Sequence, residues 1–149
     1  MEEKFMREAL CLAEKASHEG EIPVGAVIVK NGKIIGRGYN KCEAFKNPLS
    51  HAEIVAINEA VSAVGDWRLN NCQLYVTMEP CAMCAGAIVN SRISEVYIAA
   101  KDKTYGSMGS VCSLQYYFPE KPKVTFGLLK EESEKILAVF FKSLREKGV

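Results

Sequence analysis

The segment "VGAVIVKNGKIIGRGYN", Val24 to Asn40, decides how the rest of the chain is read. Two runs rich in β-branched residues flank Asn31-Gly32, a dipeptide that adopts positive φ readily and is the strongest short hairpin signal. The spacing predicts that Val24 to Val29 and Lys33 to Tyr39 pair antiparallel. Before the hairpin, Phe5, Met6, Ala9, Leu10, Leu12, Ala13 and Ala16 recur at helical spacing, with Gly20 as a stop. After it, a helix is expected from about Ser50 to Val64, ended by Gly65. A short strand over Gln73 to Thr77 follows, then a helix from Cys81 to about Asn90 with Pro80 at its start. "EVYIAA" (95–100) and "KVTFGLL" (123–129) read as strands, and Glu131 to Lys147 as a closing helix. Helices alternating with short strands after an opening hairpin argue for an α/β layered domain. Lys101 to Pro122, rich in Gly, Ser, Tyr and Pro, reads as an extended loop with one helical turn, and long ordered loops in compact domains are often functional.

A chain of 149 residues, 48% apolar and 25% charged, fits one globular domain over residues 1–149. The net charge of +1 neither supports nor excludes nucleic acid, because a local patch can bind phosphate on a nearly neutral molecule. The charge is uneven: residues 1–21 carry three basic and six acidic side chains, whereas the last ten carry Lys142, Arg145 and Lys147 against Glu146 alone. No apolar run reaches the roughly 18 residues of a membrane span, and "MEEKFMREAL" lacks the apolar core of a secretory signal. The cytosol is the expected compartment. There the six cysteines, Cys11, Cys42, Cys72, Cys81, Cys84 and Cys112, are expected as thiols or metal ligands.

Two helix starts carry the chemistry. In "LSHAEIVAIN" (49–58), Ser50-His51-Ala52-Glu53 fits a capping box, with Ser50 accepting from a first-turn amide and Glu53 reaching back to the cap. Thirty residues on, "EPCAMCAGAIV" puts Cys81 and Cys84 on one face of a helix, in its first turn, where the amide dipoles favour thiolate. This C-x-x-C has three plain readings: a redox pair, half of a structural zinc site completed by Cys72 or Cys112, or two buried structural cysteines. A fourth joins the two helix starts. His51, Cys81 and Cys84 supply three soft or borderline ligands, which leaves one tetrahedral position for water, the arrangement of a catalytic zinc, one per chain. Glu53 is then a carboxylate beside that position, where a general base has to be.

H-x-E followed by P-C-x-x-C is the pattern of the zinc nucleobase deaminases, and the chain resembles that family. The wider text is similar to one branch, the bacterial tRNA adenosine deaminases that convert the wobble adenosine to inosine. The likeness runs through "EIPVGAVIV", "GYN", "NPLSHAEIVAI", "DWRLNNCQLYVTMEPCAMCAGAIVNSRI", Gly109-Ser110 and "VFFKSLR" in the closing helix. It implies a three-layer α/β/α sandwich around a five-stranded mixed sheet, cytidine deaminase-like, and a homodimer whose interface helps form the RNA site. It implies zinc on His51, Cys81 and Cys84, with Glu53 as proton shuttle in a hydrolytic deamination releasing ammonia. It places Asn40 on the target base and Asp102 on the ribose next to it. From the residues alone, Asn40 is better read as a turn-capping asparagine and Asp102 as a loop carboxylate.

Two departures concern RNA contacts. The family's usual D-P-T-A before H-A-E is here Asn47-Pro48-Leu49-Ser50, and Lys121-Pro122 stands where an Asn-His pair usually helps hold the anticodon loop. Tyr116, Tyr117 and Phe118 offer stacking surfaces for flipped bases, or alternatively a patch under a loop or at a dimer contact. Two other functions fit parts of the pattern: deamination of a free guanine, cytosine or nucleoside with the same zinc chemistry, and a zinc-bearing RNA-binding subunit without activity. Glu53 speaks against the second, which has no use for it.

Overall fold

A computed structural model describes residues 1–148; Val149, the last residue of the expected domain, lies outside the described residues. The hairpin forms as the sequence predicts. Strands β1 (Gly25–Lys30) and β2 (Lys33–Tyr39) pair antiparallel across Asn31-Gly32, whose φ angles of 51° and 75° suit the two-residue turn. β1 also pairs antiparallel with β3 (Cys72–Met78), which runs parallel to β4 (Glu95–Ala100), itself parallel to β5 (Lys123–Phe126). The sheet order is β2-β1-β3-β4-β5. The expected strand over 123–129 stops at Phe126, because Gly127 and Leu129 take positive φ and turn the chain into the last helix.

Side chains alternate across the sheet and fill two cores. Ala26, Ile28, Leu74, Val76, Val96 and Ile98 face helices α3 (Ala52–Val64) and α4 (Ala82–Asn90). Val27, Val29, Tyr75, Tyr97 and Ala99 face α1 (Glu3–His18), with Ile136 of α5 (Lys130–Glu146) packed against them. Both faces of the sheet are therefore buried, which gives the three-layer α/β/α sandwich. Among the described residues no helix is long and apolar enough to cross a membrane.

One packing detail sets the position of the site. Gly36 and Gly38 of β2 lie against α3 so closely that a Cβ would stand 2.4 Å from the Ala56 carbonyl oxygen and 2.3 Å from that of Ala52. Facing them, Ala52, Ala56 and Ala60 are fully buried. Small residues on both sides let the helix rest on the strand, so the N-terminus of α3 is fixed against the sheet.

The strand directions gather the rest. Because β1 is antiparallel to both β2 and β3, strands β2, β3 and β4 all end on the same edge. Asn40, Cys81 and Asp102 leave the sheet from those three ends, at the place where open α/β sheets bind ligands.

Candidate active site

His51 and Cys81 are the N-cap residues of α3 and α4, and neither side chain caps its own helix. Both turn toward each other. His51 Nδ1 lies 3.6 Å from Cys81 Sγ and 3.5 Å from Cys84 Sγ, and all three ligand atoms fall within 4.8 Å of one another. A tetrahedral zinc with Zn–S of about 2.3 Å and Zn–N of about 2.0 Å separates sulfur and nitrogen ligands by about 3.6 Å. The spacing fits that ion, and the donor set of one imidazole and two thiols suits it chemically.

The other cysteines do not join. Cys72 is buried at the opposite end of β3, within the core facing α3 and α4, while Cys11 and Cys112 are exposed and Cys42 is half-buried. A structural four-ligand site completed by Cys72 or Cys112 is thus not formed.

Protonation in this cluster follows from its contacts. A hydrogen bond from Cys84 and another from His51 hold the Cys81 thiol down at about 4, against the opposing effect of burial. The same Cys81 thiolate, together with burial and Glu53, pushes Cys84 far up, so that without a cation the pair keeps one proton. Its hydrogen bond to Cys81 raises His51. A divalent cation bound there would replace those protons, with Cys81 and Cys84 as thiolates and His51 as a neutral imidazole.

Glu53, in the first turn of α3, is 3% exposed. Burial pushes its carboxyl up to about 7, and the Cys81 thiolate adds to this, partly offset by its own backbone amide and His51. A carboxyl that exchanges a proton near neutrality is what general acid–base chemistry asks for. The expected capping box is not present. Ser50 is buried with its amide donating to the Asn47 carbonyl, and the helix begins two residues later than expected, at Ala52. The cap comes from elsewhere: Asn40 Oδ1 accepts from the Ala52 amide at 2.9 Å, while its Nδ2 donates to the Ile22 carbonyl at 2.9 Å.

Asp102 sits just past β4, where its Oδ1 accepts from the amides of Thr104 and Tyr105 and so closes a turn. Tyr116 and Tyr117 lie on a 3-10 turn (Leu114–Tyr117) and point outward, Tyr117 being 83% exposed, so neither lies under a loop. Two features escaped the sequence reading. The helix α2 (Cys42–Phe45) is held by the buried Glu21 carboxylate, which accepts from the amides of Glu43 and Ala44. Glu79, two residues before Cys81, is buried and accepts hydrogen bonds from the loop after β4.

A sandwich that sets a histidine, two cysteines and a buried glutamate at two adjoining helix starts defines a zinc-dependent deaminase domain. Residues 1–100 match the family model of the cytidine and deoxycytidylate deaminase zinc-binding region. The chain is 44% identical over 148 residues to the tRNA-specific adenosine deaminase of Bacillus subtilis, covering 98% of this chain and 92% of that one. A solved structure from work on A-to-I editing by tRNA:A34 deaminases at the wobble position of transfer RNA superposes with a TM-score of 0.86 at 39% identity, over 90% of this chain and 99% of that one. The guanine deaminase of Bacillus subtilis, 38% identical, superposes with a TM-score of 0.68 over 82% of this chain and 78% of its own. The chain belongs to the cytidine and deoxycytidylate deaminase zinc-binding family and, within it, to the tRNA-specific adenosine deaminases.

Proposed function

We propose that this chain hydrolyses the wobble adenosine of a tRNA anticodon to inosine, in the cytosol, as a homodimer, with one zinc per chain held by His51, Cys81 and Cys84. The observation that carries the chemistry is the convergence of these three side chains beside buried Glu53. What supports tRNA over a free base is sequence identity: 44% over 98% of this chain to a tRNA-specific adenosine deaminase, against 38% over 82% of the chain for the guanine deaminase of Bacillus subtilis.

A zinc held by His51, Cys81 and Cys84 would lower the pKa of a water to about 7, making hydroxide available at neutral pH. Glu53 would take a proton from the attacking water and hand it to N1 of adenine as the oxygen adds to C6. Glu53 then takes the remaining proton from the new C6 hydroxyl and delivers it to the N6 amine, so that the C6–N6 bond breaks, ammonia leaves and the C6 carbonyl of inosine forms with N1 protonated. A carboxyl whose pKa is raised by burial toward neutrality can serve both as acceptor and as donor. Cys81 and Cys84 as thiolates cancel the cation's charge, which suits an uncharged base.

Asn40 and Asp102 flank this centre from the ends of β2 and β4 and take the base and the ribose. Asn40 Oδ1 and one Asp102 oxygen serve the fold at the same time, through the Ala52 amide and the loop amides. The single-stranded anticodon loop presents unpaired bases, and Tyr105, Tyr116 and Tyr117 provide exposed rings for stacking or for contact with a second copy of the chain. The test is inosine formation in an anticodon stem-loop by the purified protein, measured against free adenosine, guanine and cytosine.

A further inference from the structure

Three glutamates are buried among the described residues, Glu21, Glu53 and Glu79, each 3% exposed. Glu53 belongs to the proton chemistry and Glu21 caps α2. Glu79 is bound differently: its carboxylate gathers one loop. Oε1 accepts from the Asp102 amide at 3.1 Å, and Oε2 accepts from the amides of Met108 at 3.1 Å and Ser110 at 3.0 Å. The Ser110 hydroxyl donates to Oε1 as well. The side chain makes no ion pair with lysine or arginine among the described residues; its charge is met by these donors alone.

The loop is shaped around this carboxylate. A Cβ on Gly106 would stand 2.5 Å from the Glu79 carboxyl carbon and 2.3 Å from the Asp102 carbonyl oxygen, so only glycine fits there. The backbone continues the seam, with the Glu79 amide donating to the Ala100 carbonyl at 2.8 Å and the Ser107 amide to that of Pro80 at 2.9 Å. Glu79 and Pro80 lead directly into Cys81, while Asp102 begins the loop. One buried carboxylate therefore ties the segment that delivers a zinc ligand to the segment that meets the nucleotide.

We propose that Glu79 is a positioning residue that fixes the Asp102 loop against the zinc-bearing helix, and thereby sets affinity for the nucleotide rather than zinc content or proton transfer. This rests on the reading of Asp102 as a substrate contact. Glutamine at position 79 keeps the shape but turns an NH₂ group toward amide donors, leaving buried donors without acceptors. The loop then moves away from its seat, while His51, Cys84 and Glu53, held by α3 and α4, stay in place.

The experiment is steady-state kinetics of the zinc-loaded protein on an anticodon stem-loop, with metal content and melting temperature measured alongside. Glu79→Gln is expected to raise KM by about tenfold or more, with kcat within about threefold and zinc per folded chain unchanged. Gly106→Ala is expected to do the same, Ser110→Ala to raise KM by about threefold, and the Glu79→Gln/Gly106→Ala double variant to add little to the larger single effect. A role confined to folding lowers melting temperature and active fraction, hence kcat, and leaves KM alone. Unchanged KM in folded Glu79→Gln and Gly106→Ala protein overturns the proposal, as does loss of zinc or kcat at unchanged KM. Should Glu79→Gln fail to fold, Ser110→Ala and Gly106→Ala decide by the same readout. Failure of the wild-type protein on the stem-loop would instead defeat the tRNA reading, and the KM comparison then proceeds on a nucleoside; turnover of a free base alone, which has no ribose for Asp102, overturns this proposal as well.

Discussion

His51 Nδ1 and Cys84 Sγ lie 3.5 Å apart although 33 residues separate them in the chain. Two helix starts have to be brought together for this, and close packing of α3 on Gly36 and Gly38 fixes one of them. Removing a thiol from the cluster leaves two protein ligands. Cys84→Ser is expected to lose most of the bound zinc, together with activity, by metal analysis of purified protein. Zinc retained at about one per chain in that variant would show that the cation sits elsewhere.

Glu53→Gln leaves His51, Cys81 and Cys84 in place and removes the group proposed to move the proton. Zinc content and melting temperature of the loaded protein should be preserved while kcat falls by at least about 10² to 10⁴. Substantial turnover in this variant would reduce Glu53 to a packing residue.

Burial raises the Glu53 carboxyl from its ordinary 4.5 to about 7. A raised carboxyl pKa means that the folded state holds the proton more tightly than the unfolded one, so the stability it confers is present below about pH 4.5 and is lost as pH rises through 7. In chelator-treated protein, Glu53→Gln should therefore match the wild type near pH 4 and become more stable than it by about 3 kcal/mol above pH 8. Denaturant unfolding at several pH values reads this directly, and a difference that shrinks with rising pH has the wrong sign.

Asn40 caps α3 through the Ala52 amide and anchors to Ile22. Asn40→Ala is expected to cost about 1 kcal/mol of stability and to raise KM without changing zinc content. Asn40→Asp keeps the acceptor for the Ala52 amide and should recover much of the stability but not the KM. Wild-type KM in both variants would confine Asn40 to capping.

The hairpin and most helix and strand ends were legible because their determinants are local: Asn31-Gly32 takes the turn, and Gly65 ends α3 in the left-handed region. The zinc cluster was legible because few combinations of residue type and spacing serve that chemistry. Long-range carboxylates and amides were not. The S-x-x-E pattern at Ser50 suggested a local cap, yet the actual cap is Asn40, 12 residues upstream of Ala52. Likewise α2 depends on Glu21, more than 20 residues before it, and the Glu79 donors arrive up to 31 residues later. Nothing local marks such a glutamate, since its partners are backbone amides that every residue carries.

The central claim is that a tRNA wobble adenosine, not a free base, is the substrate. Its most direct measurement is inosine formation in an anticodon stem-loop against deamination of free adenosine, guanine and cytosine, at two salt concentrations. If about four phosphates are neutralised, by lysines such as Lys101, Lys103, Lys142 and Lys147, stem-loop affinity should fall with a log–log salt slope of roughly −3, while free bases turn over poorly at either salt. Salt-insensitive turnover of guanine or cytosine, with no inosine in the stem-loop, would contradict the account and make Leu49, Lys121 and Pro122 marks of a different substrate.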